Sequence, residues 1–333
     1  MKKSIFLGLA AVAMFSTSAM ADTLEAVKKN DHVKCGVSTG LAGFSVADEK
    51  GEYKGLDVDV CRAVAAATLG DAKKVKFVPL TAKERFTALQ SGEIDVLSRN
   101  TTWTLTRDAS LGLNFAGVNY YDGQGFMVSK SLGVSSAKEL SGAAVCIQSG
   151  TTTELNLADY FKANKMDFKA VTYDTSDQTV KGFEAGRCDV LTSDSSQLAA
   201  LRIKLAKPSE AMILPEIISK EPLGPVVRQG DDKWFNIVRW SLNAMINAEE
   251  LGLTSKNIGE MMSSEDPSIK RMIGGEGEKL GLDDNWSVNI INQVGNYGES
   301  FEANVGINTP LGLSRGVNAL WTKGGIMYAP PIR

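Results

Sequence analysis

Histidine is almost missing from this chain: His32 stands alone among 333 residues. Imidazole-based catalysis or metal binding therefore has only that position, which precedes the first strand pattern. The four cysteines include no C-x-x-C pair, so zinc-ligand spacing is absent and neither a metal nor a cofactor is expected. There is no low-complexity linker. The G-x-G of "DGQGF" (122–126) is too short for a nucleotide loop and no helix pattern follows it. Positive charge is not in excess either: 36 basic side chains face 39 acidic ones, a net −3. That balance argues against nucleic acid or an anionic membrane as partner.

Long apolar runs are missing, with one exception at the N-terminus. Residues 1–21, "MKKSIFLGLAAVAMFSTSAMA", hold a positive start at Lys2 and Lys3, an apolar core from Ile5 to Phe15, and a small-x-small box at Ala19-Met20-Ala21. This reads as a secretory signal peptide cleaved after Ala21. It falls short of the roughly 20 apolar residues a membrane span needs, and no cysteine lies near the cleavage box to take a lipid. The remainder is expected to be free and soluble outside the cytoplasm. Disulfides are the default there for Cys35, Cys61, Cys146 and Cys188. Three pairings are open. The sequence-local one, Cys35–Cys61 and Cys146–Cys188, puts a bridge in each half and is carried forward, each bridge stabilising by about 3.5–4 kcal/mol in the chain-entropy picture.

What is present is a pattern written twice. "HVKCGVSTG" reads as a strand and "GLDVDVCRAVAAATLG" as a helix with Val58, Cys61, Val64, Ala65, Thr68 and Leu69 on one stripe. "KKVKFVPL", "AKERFTALQSG" and "IDVLSRN" continue as strand, helix, strand. The order restarts at "AAVCIQSG", where Thr151 and Glu154 fit a capping box opening a helix. "FKAVTYD", "SDQTVKGFEAG" and "RCDVLTSD" complete it. "SGEIDVLSRN" (91–100) and "AGRCDVLTSD" (185–194) share Gly and Asp-Val-Leu at one offset. An α/β chain of two similar, parallel, doubly wound lobes follows. Ligands of open α/β sheets sit beyond the carboxyl ends of the strands, so facing lobes make a cleft lined by both tips. The extended segments 118–130 and 214–227 bracket lobe two and can form a hinge of two crossing strands. Trp234, Ile237, Val238, Ser241, Leu242, Met245 and Ile246 form a helical stripe returning to lobe one. The last 80 or so residues show one clear helix, near Asn285–Tyr297, in a wrap around that lobe.

Chemistry concentrates at the tips. Asn100 and Thr102 alternate to one side of the extended stretch, with Thr101 between them, and Thr104 can cap a helix whose first turn holds Arg107. A guanidinium there suits a carboxylate bidentately, unless it merely pairs on the helix surface. "SGTTTE" offers helix-start amides around Thr151 and Thr152, a second anion site. Asp194, unless spent as an N-cap, presents a carboxylate to an ammonium group. Opposite charges on opposite lobes match a zwitterion, the head of an amino acid.

These segments in series, with "YYDGQGF" and "WSLNAMINAEELGLT", resemble the periplasmic solute-binding proteins of the polar amino-acid ABC transporter family over roughly residues 32–255. The tail "GVNALWTKGGIMYAPPIR" is similar to the general L-amino-acid-binding subgroup. The resemblance implies the two-lobed periplasmic binding protein type II fold. Lobe one would be 22–122 with 219–333, and lobe two 123–218. It places the α-carboxylate on Arg107 and Thr102, the amino group on the Asn100 main chain and Asp194, and a lobe-two amide at Thr152. Where relatives carry an aromatic against the ligand this chain has Leu41, with Phe44 beyond. Arg85 falls on the position facing the side-chain pocket; pointing inward, it would favour glutamate, aspartate and glutamine. The implied partners are an L-amino acid and the permease subunits of the inner membrane, the implied state a monomer in the periplasm, the implied role not enzymatic. The rival is a secreted cyclohexadienyl-type dehydratase of the same fold, for which Glu84 is the available acid.

Overall fold

The computed structural model describes residues 22–333; the signal peptide expected over 1–21 lies outside them. The described residues start with a helix not anticipated from sequence, α1 (Thr23–Asn30), whose Asp22 side chain caps the amide of Glu25. Strand β1 (Val33–Ser38) is followed by a small hairpin, β2 (Val46–Ala47) and β3 (Tyr53–Lys54). Then come α2 (Leu56–Leu69), β4 (Val75–Leu80), α3 (Arg85–Gln90), β5 (Val96–Leu97), α4 (Leu105–Ser110) and β6 (Leu113–Phe115). Strand β7 (Tyr120–Asp122) leads out of this lobe.

Lobe two repeats the order: β8 (Gln124–Ser129), β9 (Ala144–Gln148), α5 (Thr152–Ala163), β10 (Lys169–Tyr173), α6 (Ser176–Glu184), β11 (Val190–Asp194), α7 (Ser195–Arg202) and β12 (Ala211–Ile213). The chain returns through β13 (Glu221–Leu223) to β14 (Val226–Arg228) and the long α8 (Asp232–Glu250). The apolar stripe expected on α8 is buried throughout, and the helix packs on α2 of lobe one. The remainder holds α9 (Ile258–Met261), α10 (Pro267–Ile273), α11 (Trp286–Gln293) and α12 (Tyr297–Asn304). The single helix expected near Asn285–Tyr297 is therefore two. Gly295, with φ at 94°, turns the chain between them, a conformation open to glycine at little cost.

Two five-stranded sheets result, ordered β4-β1-β5-β14-β6 and β10-β9-β11-β8-β12, joined by the ribbon β7–β13. The expectation of parallel lobes needs correction. β1 runs parallel to β4 and β5, and β9 parallel to β10 and β11. β14 and β8 run antiparallel to their neighbours. The reason is geometric: each is the strand that arrives through the hinge, entering its sheet from the cleft side while the others leave toward it.

Helix α2 is buried well beyond the expected stripe, since Val60, Ala63, Ala66 and Ala67 are inside too. α11 and α12 cover that second face. Thr68 and Leu69 are only half-buried. Each lobe carries one disulfide, Cys35–Cys61 between β1 and α2 and Cys146–Cys188 between β9 and the loop just before β11. No helix among the described residues is long and apolar enough to cross a membrane.

Candidate functional site

The two repeated stretches share a structural device. The carboxylate of Asp95 accepts the amide of Lys34 at 2.8 Å, and that of Asp189 accepts the amide of Ala144 at 2.8 Å. Each repeated Asp thus closes the ladder at the start of the neighbouring strand. Beyond the strands the copies diverge.

At the lobe-one tip the backbone turns at Asn100, whose φ of 32° is positive; asparagine tolerates that region better than most residues. The Asn100 amide donates to Asp57 Oδ2 at 2.7 Å, and its side-chain nitrogen donates across the cleft to Gln197 Oε1 at 3.0 Å. Arg99 is buried and its Nε donates to the Leu80 carbonyl at 2.9 Å. Arg85, the first residue of α3, is 2% exposed. Its guanidinium reaches Thr101 Oγ1 at 3.3 Å and the Gly150 carbonyl of lobe two at 3.4 Å. Thr104 caps α4 by accepting the Arg107 amide. Arg107 itself is buried, donates to the Thr102 carbonyl at 2.9 Å and lies 5.1 Å from the centre of the Phe86 ring.

At the lobe-two tip α5 begins where expected, but the capping box does not form. The Thr151 hydroxyl donates to the Gln148 carbonyl, while Glu154 takes the Gly150 amide. The first amides of α5 are left without a side-chain cap, which is what an anion receptor requires. Asp194 stands at the N-cap position of α7 without capping it. Asp122 of the hinge does so instead, accepting the amide and the hydroxyl of Ser196.

The tips close down on a residual cavity of about 20 Å³. Arg85, Arg99, Asn100 and Thr102 line it from lobe one; Thr151, Thr152 and Asp194 line it from lobe two. Thr102 and Thr152 hydroxyls meet at 3.4 Å, and Thr152 donates to Glu221 of β13 at 3.0 Å. Buried Arg85 Nε and Asn100 Oδ1 have no partner within the protein.

Burial dominates the electrostatics. It pushes the Asp194 carboxyl well above the usual range, aided by Asp122 and Glu221. It also pushes the Arg85 guanidinium far down, aided by repulsion from Arg107 and Arg99. Arg99 falls to about 10 for the same first reason, and Arg107 is lowered by burial, though Glu221 and Asp194 oppose that. Asp122 rises to about 6. Three cations thus press on one side and a cluster of carboxylates on the other.

Arg107 flanks the cavity behind Thr102 rather than lining it. Leu41 and Phe44 sit elsewhere: both are buried in the lobe-one core, Phe44 edge-on to Tyr120 at 5.4 Å. Glu84 is exposed, and bonds from Thr81 hold its carboxyl below the usual range. Sequence reasoning missed Arg99, Gln197 and Glu221. Strict alternation through "SRNTT" points residue 99 away from residues 100 and 102; the positive φ at Asn100 breaks that alternation.

Comparison with known proteins adds a frame to this geometry. A family model described as "Bacterial extracellular solute-binding proteins, family 3" matches residues 33–259. The chain is 58% identical to the "General L-amino acid-binding periplasmic protein AapJ" of Rhizobium johnstonii, over 99% of this chain and 98% of that one. It is 56% identical to the "Glutamate/glutamine/aspartate/asparagine-binding protein BztA" of Rhodobacter capsulatus, over the whole of both. A solved periplasmic binding protein from Brucella ovis with glutathione bound superposes with a TM-score of 0.92 at 56% identity, covering 94% of this chain and 100% of that one.

Proposed function

Because the chain belongs to the bacterial extracellular solute-binding proteins of family 3, we propose that it captures L-amino acids between its lobes, glutamate, aspartate and glutamine foremost. Like its close relatives, it is the extracytoplasmic binding component of an amino-acid ABC transporter and not an enzyme. The finer reading is a periplasmic monomer, its leader removed after Ala21, that delivers ligand to permease subunits and has no business with nucleic acid. Lobe one is taken as 22–122 with 219–333, lobe two as 123–218.

One observation carries the reading: buried guanidiniums of lobe one and the uncommitted Asp194 carboxylate of lobe two face each other across the interlobe cavity, opposite poles matched to one small dipolar molecule. The α-carboxylate is received by Thr102, the Thr101 backbone and the α5 amides at Thr151 and Thr152, with Arg107 adding its charge from behind Thr102 and turning onto the ligand as it enters. The ammonium is received by Asp194 with the Asn100 tip. Arg85, joined by Arg99, takes the distal carboxylate or amide, and Arg85 Nε is a donor that the protein leaves unpaired. Leu41 and Phe44 act from behind, as support for the loop at the cleft edge. Binding relieves the mutual repulsion of the three arginines, and that differential affinity for the closed form draws the lobes together. Water exclusion then strengthens each charge pair.

A second reading is glutathione, favoured by the Brucella ovis relative. Its γ-glutamyl end carries the same zwitterion as a free amino acid. Thermal-shift titration against the twenty amino acids and glutathione tests both. L-glutamate at about a hundred times its Kd stabilises the protein by about 2.7 kcal/mol through linkage. No shift with any amino acid removes the reading; a shift with glutathione alone replaces it.

A further inference from the structure

The C-terminal extension reaches the hinge. Strands β7 and β13 pair with Tyr121 opposite Pro222 and Asp122 opposite Glu221. In a two-stranded ribbon, the outward edge of each strand has free peptide groups. At Tyr121 that edge is occupied by one side chain, Asn318. The Tyr121 amide donates to Asn318 Oδ1 at 2.7 Å, and Asn318 Nδ2 donates back to the Tyr121 carbonyl at 3.0 Å. The carboxamide stands in for a third strand one residue long, because it carries a donor and an acceptor spaced like a peptide's.

Asn318 is itself held to lobe one. Arg315 donates twice to the Asn318 carbonyl, at 3.1 and 3.0 Å, and grips Glu249 of α8 at 3.2 and 3.0 Å. Its guanidinium lies about 5 Å from the Tyr297 and Phe301 rings of α12. Tyr297 donates to the Asn119 carbonyl at 2.9 Å, and Phe301 stacks on Tyr120. On the other strand, the Trp103 amide of lobe one donates to the Pro222 carbonyl at 2.8 Å.

The adjoining rung, at the edge of lobe one, is bonded to lobe two. Asp122 is bound to Ser196 of α7, and Glu221 to Thr152 and Asn156 of α5. We propose that the extension fixes the Tyr121–Pro222 rung to lobe one, so that closure turns about a single line between that rung and the Asp122–Glu221 rung. Asn318 is the positioning residue of this brace. The proposal rests on the reading of a ligand-closed cleft, and it adds where the pivot lies and what sets it.

The test is Asn318→Leu, which removes both bonds at similar volume, and Asn318→Asp, which keeps only the acceptor for the Tyr121 amide. Small-angle scattering without ligand is expected to show a larger, broader radius of gyration for Asn318→Leu, and an unchanged one at saturating L-glutamate. Calorimetry is expected to show about tenfold weaker L-glutamate binding for Asn318→Leu and about threefold for Asn318→Asp, because a looser hinge gives up more freedom on closing. Ser287→Ala is the control, since it deletes a buried bond to Met272 elsewhere in the extension. It should lower the melting temperature and leave affinity and scattering alone. Wild-type affinity and ligand-free scattering in Asn318→Leu overturn the brace, as does an equal effect from Ser287→Ala. Should Asn318→Leu not fold, Asn318→Asp decides by the same two readouts. A wild-type protein that binds no amino acid counts against the ligand reading instead, while the ligand-free scattering still reports on the brace.

Discussion

At the tip of lobe one the repeated stretch ends in Arg99 and Asn100; at the tip of lobe two it ends in Ser193 and Asp194. The Asp-Val-Leu core does one job in both, closing a ladder with its carboxylate and burying Val and Leu in the sheet. The two or three residues after it carry all the difference. One tip gathers guanidiniums, and the other offers a carboxylate and helix amides. A duplicated scaffold therefore keeps its folding residues and varies its exits, and the opposed charges of the exits define what fits between them.

The largest test of that comparison is whether the lobes are separately stapled. Replacing Cys146 and Cys188 by Ala should cost about 4 kcal/mol, against about 3.5 kcal/mol for Cys35 and Cys61, since the sequence separations are 42 and 26. Urea unfolding should then show a separate early transition from the weakened lobe. Next is Arg107→Met, expected to weaken L-glutamate at least about 100-fold, or about 2.7 kcal/mol, by calorimetry.

Asp194→Asn should weaken it about 30-fold near neutral pH, roughly 2 kcal/mol, and should flatten its pH dependence. The sign follows from the raised pKa of Asp194. Acidification protonates the carboxyl and removes the ammonium's partner, so wild-type Kd rises as pH falls, and binding in that range releases protons. A flat wild-type profile would detach Asp194 from the ligand. Arg85→Met should cost about tenfold for L-glutamate and much less for L-alanine; equal losses would make Arg85 structural. The smallest effect belongs to the exposed interlobe pair Lys83–Asp174, 2.8 Å apart. Lys83→Ala should shift Kd less than about twofold and only at low salt.

The two-lobe plan was legible because hydrophobic periodicity and Gly-ended helices repeat in order. Gly92 and Gly186, both at positive φ, end the helices before the two repeated strands. The antiparallel strands β8 and β14 were not legible, since direction within a sheet leaves no mark on a strand's own pattern. Arg99 escaped because one backbone dihedral at Asn100 reverses the side a residue faces. Asp194 read equally well as a helix cap, and only the position of Asp122, distant in sequence, decides otherwise. Leu41 as a ligand contact rests on the family resemblance alone, and its burial with Phe44 and Leu56 is a property of the assembled core.

That Asp122 rather than Asp194 terminates α7 has a practical consequence for engineering. The receptor for the guest's positive pole can be exchanged without unravelling the helix that follows it. A designer retargeting this scaffold as a fluorescent reporter for other metabolites can therefore recode Asp194 freely, while Asp122 must stay as it is.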